Sequence, residues 1–138
     1  MTVDHLIVKA TEKEKYRRYK ITLKNAEKMM EKWSSKGYSF ELVGVAQGWN
    51  PDSYYNAIKE LIDMNFKYIA IGGLVRSTTR EIIKIIKRCY SLWERKSIRV
   101  HIFGVGRDSI IPFYLKYKIY SFDAAYHRRS WLASKENT

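Results

Sequence analysis

Cysteine is nearly absent. Cys89 is the single one among 138 residues, which excludes an internal disulfide and any zinc site built from cysteine alone. Proline occurs twice and glycine seven times, with no low-complexity tract or long linker to divide the chain. No apolar run is long enough to cross a bilayer. The first residues, MTVDHLIVKATEKEK, carry an acid and several lysines where a signal peptide is apolar, so a cytoplasmic chain without a membrane span is expected. No G-x-G-x-x-G or Walker loop occurs, and GVGRD is too short and lacks the following Lys-Ser/Thr, which argues against an open α/β enzyme for a free nucleotide. His5, His101 and His127 have no metal-ligand spacing, so they read as structural or incidental and no metal site is expected. Cys89 falls on a helix face and reads as packing.

Acid is also scarce. Asp and Glu number 14 against 26 Lys and Arg, a formal charge of +12. Such a surface attracts phosphate backbones through counterion release and field steering, although a lysine-rich solvated surface gives the same count. Hydrophobic residues make up 46% of the chain, enough for one domain over residues 1–138 with one core.

The pattern along the chain repeats one grammar. Residues 15–35 read as a helix with Ile21, Ala26, Met29, Met30 and Trp33 near helical spacing, closed by Gly37. SFELVGVAQG reads as a buried strand, and Asn50 then Pro51 make a good N-cap and first turn for a helix with Tyr55, Ile58, Leu61 and Ile62 inward. KYIAIGGL is a second strand, and Thr78 with Glu81 forms a capping box. It opens the helix TREIIKIIKRCYSLWERK, whose apolar face carries Ile82, Ile83, Ile85, Ile86, Tyr90 and Trp93. IRVHIFGVG is a third strand, RDSIIPFYLKYK a short helical piece, and IYSFDAAYHRRSWL a fourth strand running into a basic end; VDHLIV makes one more strand at the start.

Strands this apolar, alternating with helices, argue for a parallel α/β sheet joined by right-handed crossovers. An open doubly wound sheet and part of a (β/α)8 barrel both fit, and both bind ligands at the carboxyl ends of their strands. Those ends hold Gln47-Gly48, Gly72-Gly73, Gly104 with Gly106, and Asp123 followed by Arg128-Arg129. Polar side chains and bare backbone thus gather on one edge, which favours a site there over a set of plain turns.

Four stretches in order, GVAQGWNPDSY, YIAIGGLVRS, IFGVGR and YSFDAAYHRR, resemble the second half of the tRNA-guanine transglycosylase superfamily. That family includes queuine and archaeosine tRNA-ribosyltransferases and relatives that insert 7-deazaguanines into DNA. The likeness covers roughly residues 39–131; each motif is weak alone, and the ordered set is specific. It implies the last four to five βα units of a TIM barrel. It also implies that Gln47 hydrogen-bonds a guanine or 7-deazaguanine base, that Gly72, Gly73 and Leu74 offer backbone groups to it, and that Asp123 is the nucleophile. Asp4 matches the family's base-reading aspartate by a thinner alignment. Arg129, with Arg128 beside it, resembles the arginine past the nucleophile, and Trp49 has the ring to stack on a base. No cofactor is implied.

The residue types suit that chemistry. Base exchange breaks an N-glycosidic bond through an oxocarbenium-like state, and a carboxylate on the opposite face can hold the sugar covalently, as in retaining glycosidases. An amide donates and accepts at once, glycine lets the backbone approach a flat base, and the target nucleotide must leave its stack. Read without the resemblance, Asp123 is a helix N-cap, Gly72-Gly73 is a strand-to-helix turn and Trp49 packs beside a turn; Gln47 is a turn residue or a site residue on equal terms, and Arg128 and Arg129 read as phosphate contacts ahead of a solvated pair.

Departures from the family pattern are equally informative. The chain begins near the family's fourth strand, lacks its Asp-Ser-Gly-Gly-Phe-Gln stretch and the Cys/His zinc module after the nucleophile, and carries AAYHRRSW where a Pro-Thr-Arg type run is usual. The missing tRNA-type ending keeps tRNA and DNA both open as substrates. Three arrangements account for half a barrel: a split enzyme completed by a second chain, self-association of two copies, or a relic without activity. The reading from a different class is a non-catalytic basic subunit that binds nucleic acid.

Overall fold

The computed structural model describes residues 10–124. Asp4, Arg128, Arg129 and the strand expected at VDHLIV lie outside the described residues.

Helix α1, Glu12–Lys36, starts where the Thr11 side chain accepts the Glu14 amide, places Glu12 and Glu14 in its positive first turn, and ends at Gly37 in the left-handed region. Its buried stripe is Tyr19, Leu23 and Ala26, a spacing of four and three. Ala26 was expected there. Ile21 and Met29 were too, and instead are 43% and 50% exposed, because both fall outside the arc that those three residues define.

Strand β1, Val43–Ala46, is shorter than the apolar run around it. Helix α2, Pro51–Asp63, follows the expected cap closely: the Ser53 amide donates to Asn50 Oδ1 while Ser53 Oγ accepts the Asn50 amide. Gly48 makes room for this helix start, since a Cβ there would lie 2.5 Å from Ser53 Oγ and 2.9 Å from the Tyr54 nitrogen. Ile58 and Leu61 point inward as expected, joined by Tyr54 and Ala57, while Tyr55 and Ile62 flank the core.

Strand β2, Tyr68–Ile71, leads to α3, Thr79–Cys89, opened by the Thr78–Glu81 capping box. The helix expected through residue 96 breaks instead into a 3-10 turn, Tyr90–Leu92. Trp93 remains buried, and its indole N–H donates to the Tyr117 carbonyl across 2.9 Å. Strand β3, Arg99–Ile102, helix α4, Ile111–Lys116, and strand β4, Ser121–Phe122, complete the described chain.

The four strands are parallel and lie in the order β1-β2-β3-β4. A doubly wound sheet reverses direction at a switch point; this one advances in a single direction, as a barrel does. Right-handed crossovers then put every helix on one face, where α1 packs on α2 and α2 on α3. Gly44, Ala46, Ile69, Ile71, Val100 and Ile102 point toward those helices and are buried, with Ile58, Leu61, Ile82 and Ile86 opposite them. Each isoleucine, leucine or valine among them contributes about 1.5–3 kcal/mol by leaving water. The other face carries Val43, Val45, Tyr68, Arg99, His101 and Ser121, all half-buried. That is the face a closed barrel turns inward.

Candidate active site

The sheet register fixes what meets at the carboxyl edge. Val45, Ala70, His101 and Ser121 form one row across the four strands. Two residues further on, on the same face, come Gln47, Gly72, Phe103 and Asp123. Ladder hydrogen bonds continue into this row, from Gly72 N–H to the Ala46 carbonyl, Phe103 N–H to Ile71 and Asp123 N–H to Ile102. The row past the strand ends therefore inherits the order of the sheet, although all four of its residues lie on loops.

Gly72 is the floor of the row. A Cβ there would sit 3.6 Å from Gln47 Nε2 and 3.7 Å from Phe103 Cδ2, so the amide and the ring stand on either side of bare backbone. The buried Tyr54 hydroxyl donates to the Gly72 carbonyl across 2.8 Å and holds it in place. Gly73 takes φ +82°, the turn that frees the chain from the sheet, and Leu74 is fully buried beneath it with its carbonyl accepting the Ser77 amide. Arg107, from the next loop, donates to the Ser77 carbonyl (2.7 Å), the Val75 carbonyl and Thr79 Oγ1 (both 3.3 Å). One guanidinium thus ties the loop after β3 to the loop after β2.

Asp123 stands at the far end of the row with its side chain 58% exposed. One carboxylate oxygen accepts the Gly104 amide at 2.6 Å, and the other lies 3.1 Å from His101 Nε2. Gly104 itself takes φ +73°, a left-handed conformation that suits glycine. His101 Nδ1 lies 2.7 Å from Ser121 Oγ, which in turn lies 2.9 Å from the Tyr68 hydroxyl. The His101 ring also meets the Phe103 ring edge-on at 4.9 Å. Below them, Arg99 pairs with Glu41 and lies over the rings of Tyr68 and Tyr120.

Gln47 also lines a narrow cleft toward α1, with Lys15, Arg18, Tyr19, Thr22 and Trp49. Arg18 Nη1 and the Tyr19 hydroxyl are buried there with no hydrogen-bond partner among the described residues, and burial pushes the Tyr19 hydroxyl up to about 12. The Trp49 indole packs edge-on against Tyr19 at 5.7 Å.

The structure therefore places Gln47, Gly72 and Asp123 in one row across the strand ends, Gly73 and Leu74 in the turn after β2, and Trp49 in the cleft that Gln47 also lines. It adds two residues that the sequence reading left out. His101, read there as structural or incidental, contacts Asp123, and Phe103 borders Gly72. Both were within reach: alternation along VHIFG puts residues 101 and 103 on one face, and their pairing with residues 121 and 123 completes the picture. Among the described residues no group of three His, Cys, Asp or Glu could hold a metal, and no helix is long and apolar enough to cross a membrane.

A parallel βα sheet wound in one direction, with a carboxylate, an amide and a glycine slot at its carboxyl edge, is consistent with part of a (β/α)8 barrel, a fold that binds ligands at its strand ends. Residues 1–131 match the family described as TGT, queuine tRNA-ribosyltransferase. Over 108 residues, 78% of its length, the chain is 31% identical to a DNA-guanine transglycosylase of Salmonella montevideo. The chain belongs to the tRNA-guanine transglycosylase family. It spans 25% of the length of that relative.

Proposed function

We propose that this chain supplies the nucleophile and the base-reading edge of a transglycosylase that exchanges guanine or a 7-deazaguanine in tRNA or DNA. The observation that carries the reading is Asp123: an exposed carboxylate held by two donors, in one row with the Gly72 slot. In the proposed reaction an Asp123 oxygen attacks C1′ of the flipped nucleotide. The C1′–N9 bond breaks, its electron pair leaves with the base, and a sugar–carboxylate ester remains. The incoming base attacks C1′ in turn and restores the free carboxylate.

Gln47 reads the base edge through its amide, Gly73 and Leu74 present backbone to it, and Phe103 offers a ring face beside it. Asp4 completes base reading, and Arg128 and Arg129 meet phosphate. A second half-barrel chain, or a second copy of this one, is the partner that would close the barrel around this edge. The DNA-guanine transglycosylase relative supports DNA as the polymer, and the family description supports tRNA.

Covalent trapping tests the reading. The protein is incubated with guanine-containing tRNA or duplex DNA, with and without extract of the source cells, and resolved on a denaturing gel. An adduct to the 16.4 kDa chain that disappears in Asp123→Asn is expected. Salt-sensitive binding without any adduct would replace this reading with that of an accessory binding subunit, for which the charge of +12 is the support.

A further inference from the structure

We infer that His101 is a positioning residue for Asp123, locked in one tautomer by a directional hydrogen-bond line that starts at Tyr68. This rests on the reading of Asp123 as nucleophile. A carboxylate only accepts, so the His101 nitrogen facing it, Nε2, carries the proton. In that tautomer Nδ1 accepts, and the group there is Ser121 Oγ at 2.7 Å. Ser121 spends its one proton on that bond and can accept from the Tyr68 hydroxyl at 2.9 Å. Donation runs one way: Tyr68 to Ser121, Ser121 to His101, His101 to Asp123.

The exposure of the two ends gives the line its purpose. The His101 side chain is 16% exposed and the Asp123 side chain 58%. Asp123 follows a strand of two residues, so little else on β4 restrains its rotation. The Gly104 amide grips one oxygen and His101 the other, and two donors on two oxygens fix the carboxylate plane. Arg99, on the same face, is engaged with Glu41 and lies over the Tyr68 ring. Serine, histidine and aspartate are also the parts of a hydrolytic triad. Here the order of access is reversed: Ser121 is held from behind by Tyr68, and the acid is at the open end.

Two readouts test this, one independent of activity. In protein labelled with nitrogen-15 in its three histidines, the His101 resonances, identified by their loss in His101→Gln, are expected to show a fixed Nε2–H tautomer. An Nδ1–H tautomer, or averaging between the two, overturns the inference. The second readout compares two amides that each replace one ring nitrogen. His101→Gln keeps a donor near the Nε2 position, and His101→Asn keeps one near Nδ1 only. Adduct formation is expected to survive largely in Gln and to slow about a hundredfold in Asn, the cost of a nucleophile displaced by about an ångström, with equal polymer binding and equal thermal midpoints. An Asp123-dependent adduct that forms equally fast in both variants overturns the role of His101 and leaves the nucleophile standing. The expected tautomer with no adduct even in the unaltered protein overturns the nucleophile, and the positioning role falls with it.

Discussion

Gly72→Ala separates the slot from the fold. Gly72 does not use positive φ, and the nearest atoms to an added methyl lie at 3.6–3.7 Å, ordinary van der Waals contact. The folded state should therefore accept alanine without strain, while the unfolded chain loses freedom. Stability is expected to hold or rise by up to about 1 kcal/mol. The same methyl projects between Gln47 Nε2 and Phe103 Cδ2, where the base is proposed to lie. A methyl too many in a close-fitting site costs about 1–3 kcal/mol, so the apparent affinity for guanine should fall about fivefold to 150-fold. Urea titration reads the first quantity. Incorporation of labelled guanine into tRNA or DNA, as a function of guanine concentration, reads the second. A loss of more than about 1 kcal/mol of stability would refute the open geometry above Gly72. Normal folding with an unchanged guanine dependence would mean that no base lies there.

Gly104→Ala should behave in the opposite way. Alanine at φ +73° costs about 1–2 kcal/mol, its methyl meets Val75 Cγ2 at 2.6 Å, and pairing it with Val75→Ala should recover only the steric part in a urea double-mutant cycle. Arg107→Ala removes three hydrogen bonds to residues 75–79; amide exchange at Ser77–Thr79 should quicken, and an unchanged exchange rate would mean that the loop holds itself. The Cys89 thiol, which burial pushes up to about 12 from 9.0, should ignore a thiol reagent at pH 8 until urea unfolds the chain. The fold keeps this proton more tightly than the unfolded chain does, so the thiol's contribution is full below pH 9.0 and is lost as pH climbs toward about 12.

Local signals carried most of the architecture. Asn50-Pro51 and Thr78 with Glu81 mark helix starts within a few residues, because a cap is satisfied by its own neighbours. The helix after Thr78 was read too long: β-branched isoleucines gave a strong periodic face, and nothing in YSLWERK signals the tightening that brings Trp93 under Tyr117. On α1 several apolar sets compete along a helix rich in lysine, and only packing against α2 and β1 selects Tyr19, Leu23 and Ala26 over Ile21 and Met29. At the site, Gln47, the Gly72-Gly73 turn and Asp123 were legible as unusual residues at strand ends. His101 was not, because it was judged by metal-ligand spacing along the chain, whereas its partners Ser121 and Asp123 are brought to it by a register 20 residues away.

The shortness of β4 sets apart two kinds of failure. The described strand is two residues long, bounded by the amides of Tyr120 and Asp123 that bond to Val100 and Ile102, while the isoleucine core between α2, α3, β2 and β3 is independent of it. Releasing those few bonds would carry Asp123 away from His101 and the Gly104 amide without exposing that core. Competence for chemistry would then melt before the protein does, and a sample with an intact thermal transition would still be silent toward its substrate.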